Sequence, residues 1–308
     1  MDAAGLKSKF SALYGKGECY TFFSPSRINI IGEHIDYAGG LVLPCAITIG
    51  TYGAVRKRED NKIMLFSENA PLRVEVSLDN LRFNKTHKWA NYVKGVIYYL
   101  LDSGYKVGGM DILVSGNIPN GAGLSSSASL ELLIAEMANY LFNASAIDKI
   151  EMAKLCQKAE NKYVGVNCGI MDQFAIAMGK KDKAILLDCN TLDYEYIEMD
   201  LGNYAIVVMN TNKRRELNES KYNERIREYN LAVDRVRTRA EVRNLCQLSV
   251  DEFNMLEDVF DDPVIRNRAR HIVYENDRVL KASKALKAGD IESIGRLLTE
   301  SHNSLRDL

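Results

Sequence analysis

Apolar and polar residues keep no single rhythm along this chain of 308 residues, and the places where the rhythm changes mark its elements. Met110, Ile112 and Val114 alternate with Asp111, Leu113 and Ser115, the period of two that predicts a strand. That strand runs into a turn from Gly116 to Gly121. The period then becomes helical: Leu130, Leu133, Ile134, Met137, Ala138 and Leu141 form the stripe of an amphipathic helix that begins near a run of serines. A strand, a glycine loop and a helix amino terminus therefore follow one another. Further on, Ala205, Ile206, Val207, Val208 and Met209 predict a buried strand. Lys213 to Arg239 predicts a long, mostly solvated helix, and Pro263 to Leu308 predicts more helix. The change from short β-like runs with glycine turns to charged helical sequence puts a domain change between Asp172 and Tyr204.

Composition narrows the classes of function. With 46% hydrophobic and 26% charged residues the chain is an ordinary globular one, long enough for two domains. Forty basic residues against forty-one acidic ones leave a net charge of −1, so no long-range field recruits nucleic acid or an anionic membrane. The amino terminus has no uninterrupted apolar core, and no run of apolar residues is long enough to span a bilayer. Cys19, Cys45, Cys156, Cys168, Cys189 and Cys246 show no C-x-x-C spacing. They read mostly as buried thiols of a cytoplasmic protein.

Three segments carry candidate chemistry. Gly121, Gly123, Leu124, Ser125, Ser126, Ser127 and Ser129 lie where a helix begins, and glycines that admit a ligand, open helix N–H groups and the helix dipole together suit a phosphate chain. The serine hydroxyls add oxygens for Mg²⁺. The loop is neither a Walker A sequence nor G-x-G-x-x-G, and by itself it also fits a glycine turn with a serine N-cap. In the second segment Arg27 precedes Glu33, His34 and Asp36, acceptors that can grip several hydroxyls of one sugar. A solvated polar turn fits them equally well, and zinc is poorly supported. The third segment, Glu160 to Phe174, sets Asp172 among apolar neighbours; a carboxylate there could accept a proton, cap a helix or form an ion pair.

Taken together, the stretches Arg27–Tyr37, Trp89–Val96, Gly121–Ser129, Cys168–Phe174 and Glu219–Arg225 resemble the galactokinase branch of the GHMP kinases. The resemblance implies an α+β fold of two domains, a ribosomal-S5-like one over residues 1–185 and a ferredoxin-like one over 186–308, with the ligands in the cleft between them. It implies transfer of the γ-phosphoryl group of ATP to the anomeric hydroxyl of D-galactose, with Asp172 and Arg27 catalytic. Glu33, His34, Asp36, Gly169 and Tyr222 would bind the sugar. Gly121, Gly123, Leu124, Ser125, Ser126 and Ser127 would bind ATP, Trp89 would stack on adenine, and Ser127 and Glu160 would hold Mg²⁺. N-acetylgalactosamine or arabinose as substrate, or a non-catalytic sensor of galactose and ATP, are the rival expectations. Ser26 stands where the family usually has glycine. The family's chains also continue to a further glycine-rich motif, so an incomplete carboxyl-terminal domain and weak or absent turnover are expected, with a monomer when complete.

Overall fold

The strand expected from Met110 to Ser115 is β6 (Met110–Gly116), one residue longer, and it lies at the middle of a five-stranded sheet. The computed structural model describes residues 2–70, 72–119, 121–210 and 218–307, the side chains of 218–220 excepted. Helix α1 (Ala3–Tyr14) precedes β1 (Tyr20–Asn29), β2 (Leu41–Val42), β3 (Pro44–Lys57), β4 (Lys62–Ser67) and β5 (Arg73–Ser77). Helix α2 (Ala90–Asp102) leads to β6, α3 (Ser126–Phe142), α4 (Lys149–Lys158), α5 (Met171–Met178), β7 (Lys183–Asp188) and β8 (Tyr194–Glu198). Helices α6 (Asn218–Val236), α7 (Val250–Leu256), α8 (Pro263–Lys287) and α9 (Ile291–Asp307) follow.

In the first sheet the order is β1-β3-β6-β4-β5, with β6 antiparallel to β3 and parallel to β4. Both faces of β6 are covered, so its two alternating sets are buried alike. Ile112 and Val114 face a core built with Leu133, Ile134, Met137 and Val96 from α3 and α2, while Leu113 packs with Leu6 and Phe10 of α1. Asp111 shares that buried strand because Arg56 Nη2 and Arg58 Nη1 ion-pair with its two oxygens at 2.6 and 2.7 Å. A buried charge is tolerated when it is paired in this way.

The chain divides into two compact units. One is Met1–Arg27, Ile47–Cys168 and Asp172–Met178; the other is Ile28–Ala46, Gly169–Met171 and Gly179–Leu308. The sequence-based limit at 185/186 follows the chain, whereas these units interleave, because the two-residue strand β2 pairs antiparallel with β7 and joins β8 in a three-stranded sheet. The second unit is otherwise helical, its core formed by residues such as Phe253, Ile272, Val279 and Ala282.

Most elements lie where the periodicity puts them: α3 begins at Ser126, α6 ends at Val236, and α8 and α9 fill the last stretch. The start of the helix expected from Lys213, and Asn120 of the glycine turn, lie outside the described residues. One expectation fails. Residues 204–209 form no strand, and Val207 and Met209 are 76% and 87% exposed. An apolar run becomes a buried strand only beside a strand that shares its hydrogen bonds, and among the described residues neither sheet takes it in. The six cysteines are free; three are buried and three half-buried. No helix among the described residues is long and apolar enough to cross a membrane.

Asp111→Ala should leave two arginines beside a buried strand without their counter-charge. The expected loss is about 3–5 kcal/mol, read as a lower midpoint in denaturant; an unchanged midpoint would contradict it.

Candidate active site

The loop before α3 is bent by residues in left-handed backbone: Gly121 and Gly123 have φ of 72° and 76°, and Ser125 has φ of 52°. Ser125 is the N-cap residue, yet its side chain makes no cap. A serine N-cap, the plainer reading of this loop, is thereby overturned: the Ser125 hydroxyl donates instead to Asp172 Oδ2. The first-turn N–H groups of α3 are left without that cap, and such groups with the helix dipole favour an anion.

Arg27 supplies the other side of Asp172. Its Nε and Nη2 donate to Oδ1 at 2.8 and 2.5 Å, and its Nη1 donates to the Gly123 carbonyl at 2.8 Å. The guanidinium thus joins β1, the glycine loop and the amino end of α5. Ser26 adds a further tie, since its buried hydroxyl donates to the Leu124 carbonyl. A glycine at that position could not make this bond.

Glu160 lies on a π-helical turn, Ala159–Val164, that continues α4. Ser127, Cys168 and Gln173 hydrogen-bond to its carboxylate, and burial first, then the charge of Asp172, pushes its pKa up to about 7. One hydroxyl and one carboxylate are a fitting pair for Mg²⁺, which keeps waters and phosphate oxygens as its other ligands. Among the described residues no group of three or more His, Cys, Asp or Glu could hold a metal. Behind the pair, Gln173 Nε2 donates to Glu160 Oε2 at 2.7 Å and to Glu131 Oε2 at 3.1 Å. Glu131 is fully buried, and burial followed by the Glu160 charge raises its pKa well above the usual carboxylate range. Trp89, at the start of α2, packs against the main core, and its indole N–H has no hydrogen-bond partner among the described residues.

The remaining candidates belong to the second unit. Asn29 Nδ2 donates to Glu33 Oε1 at 3.0 Å. His34, at φ of 62°, meets Tyr37 edge-on and Tyr222 at a tilt, with ring centroids 6.0 and 5.6 Å away. Burial, with the nearby His271, lowers the His34 pKa to about 4, so the ring is neutral near pH 7. Gly169 is there because a Cβ would come within 2.2 Å of Asp36 Oδ2. Glu33, His34, Asp36, Gly169 and Tyr222 all fall in this unit, whereas Arg27, Asp172, Trp89, Glu160 and the glycine loop fall in the other.

Residues 91–180 match the GHMP kinases N terminal domain, and residues 8–57 match the galactokinase galactose-binding signature. Over 308 residues the chain is 58% identical to the galactokinase of Clostridium tetani, spanning all of this chain and 79% of that protein. The chain belongs to the galactokinase family. The crystal structure of Lactococcus lactis galactokinase complexed with galactose superposes with a TM-score of 0.95 at 48% identity, over 99% of this chain and 79% of that one. Methanococcus jannaschii mevalonate kinase, 17% identical with a TM-score of 0.58 over 94% of this chain and 80% of that one, shares the fold. A galactokinase-family chain with this α+β architecture is an ATP-dependent sugar kinase.

Asn29, Glu131 and Gln173 were not singled out from the sequence. Glu131 left a trace there: it is one turn beyond Ser127, a charge inside an apolar stripe. Between about 4.5 and about 7 the folded chain holds a proton on Glu160 that the unfolded chain releases, so this residue's stability contribution is present at low pH and lost as pH rises. With divalent cations chelated, the thermal midpoint should fall from pH 5 to pH 8 more steeply in the unaltered chain than in Glu160→Gln. Parallel slopes would contradict it.

Proposed function

We propose that the chain transfers the γ-phosphoryl group of ATP to the anomeric hydroxyl of D-galactose, giving galactose 1-phosphate and ADP. The observation that carries this reading is the fixed Asp172 carboxylate. A carboxylate has about four acceptor sites; Arg27 fills two on Oδ1 and Ser125 one on Oδ2. Among the described residues one site on Oδ2 stays open, and in this reading it takes the hydroxyl proton of the sugar, so Asp172 accepts that proton and Arg27 holds its counter-charge. Little covalent work falls to the protein in phosphoryl transfer through a loose transition state, and positioning with charge stabilisation is sufficient.

Glu33, His34, Asp36, Gly169 and Tyr222 bind the sugar, which the galactose complex of the similar Lactococcus lactis protein supports. Gly121, Gly123, Leu124, Ser125, Ser126 and Ser127 receive the phosphates of ATP at the opened end of α3, and Trp89 stacks on adenine. Ser127 and Glu160 hold Mg²⁺, which supplies positive charge to the phosphate oxygens. Free thiols fit a cytoplasmic enzyme, and we take it to act as a monomer.

Asp172→Asn keeps the shape of the side chain and removes its proton-accepting charge. Turnover should fall by about 10²–10⁴-fold, with galactose affinity nearly unchanged; Arg27→Lys, which loses the planar fork, should fall as well. A coupled assay with galactose, N-acetylgalactosamine, arabinose and glucose tests both the residues and the substrate. Undiminished turnover in Asp172→Asn, or equal kcat/KM for glucose and galactose, would sink the assignment.

A further inference from the structure

The loop that carries Glu33, His34 and Asp36 is held from behind by one face of α8. Glu275 is fully buried. Its Oε1 accepts from the Gly32 amide at 3.0 Å, the Glu33 amide at 3.2 Å and the Ser301 hydroxyl of α9 at 2.7 Å. Its Oε2 accepts from Arg278 Nε at 2.7 Å. Two successive N–H groups converge on one oxygen because Gly32 has φ of 106°, which turns the backbone into an anion-binding nest. Here the anion is the protein's own side chain.

One turn earlier on α8, His271 Nε2 lies 2.9 Å from the Glu33 carbonyl, and its Nδ1 lies 2.8 Å from Ser304 Oγ of α9. A carbonyl can only accept, so Nε2 carries the hydrogen and Nδ1 accepts from the serine. Asn276 Oδ1 accepts from the Leu41 amide at 2.9 Å. Both ends of the loop from Gly32 to Leu41 are therefore fixed to α8, and at Glu33 the N–H and the C=O are both held.

We propose that Glu275, with His271 beside it, is a positioning residue for sugar recognition: it fixes the Glu33 backbone and through it the aim of the sugar-binding side chains. This inference rests on the assignment of Glu33 and Asp36 to the sugar. A side chain bound for a specific hydroxyl loses its grip when the backbone beneath it shifts by an ångström. The nucleotide is assigned to residues of the other unit, so its affinity serves as the internal control.

The test is calorimetric titration of the full chain with galactose and, separately, with an ATP analogue. Glu275→Gln should weaken galactose binding about tenfold or more, narrow the preference for galactose over glucose, and leave the nucleotide affinity within about twofold, while Glu275→Asp restores part of the loss. Ser301→Ala, which removes one donor to the same oxygen and keeps the charge, should weaken galactose alone by about two- to fivefold. It decides the matter if Glu275→Gln does not fold. A folded Glu275→Gln or Ser301→Ala protein with unaltered galactose affinity, or with both ligands weakened alike, overturns the proposal. Glu33→Gln and Asp36→Asn separate the two readings. If neither weakens galactose, the loop is not the sugar's and both readings fall; if they do and the Glu275 and Ser301 variants do not, only the positioning role falls.

Discussion

The contact on which the first unit's glycine loop depends is the ion pair between Arg27 and Asp172. It is a forked guanidinium on one carboxylate oxygen, with the third arm of the fork on the Gly123 carbonyl. Such a pair is directional as well as strong. It therefore sets the end of β1, the bend of the glycine loop and the start of α5 against one another. Ser125, drawn into left-handed backbone, gives its hydroxyl to the second oxygen of the same carboxylate. Its N-cap position is thereby used for the site, and the helix end stays open toward an anion.

The second unit solves a similar problem by a different route. Its loop from Gly32 to Leu41 has little regular structure of its own, and the polar groups of its backbone must find partners. They find them on α8, where Glu275, His271 and Asn276 reach N–H and C=O groups at both ends. In each unit a carboxylate neutralised by an arginine ties a segment in place: Arg27 on the half-buried Asp172, Arg278 on the buried Glu275. Burying such charges is worthwhile only when every acceptor is filled, and Glu275, with three donors on one oxygen and an arginine on the other, meets that condition.

Periodicity and local chemistry determined much of this protein. The strand β6, the helix α3 with its buried stripe and the helical character of the last stretch follow from spacing alone, because burial of one face is a local property of the pattern. Glycine and serine before α3, Glu33 to Asp36, and Asp172 were legible in the sequence as candidates, and Cys168 to Phe174 was among the stretches that marked the family. Tertiary structure alone decided the rest. The exposure of 204–209 turns on whether a neighbouring strand exists, which no local pattern encodes. The pairing of β2 with β7, the reach of Ser26 to Leu124 and the hold of Glu275 on Gly32 join residues 98 to 243 positions apart or nearly so. A hydrogen bond at that separation leaves no period in the sequence, since its two ends are chosen by the packing of whole elements and not by their neighbours in the chain.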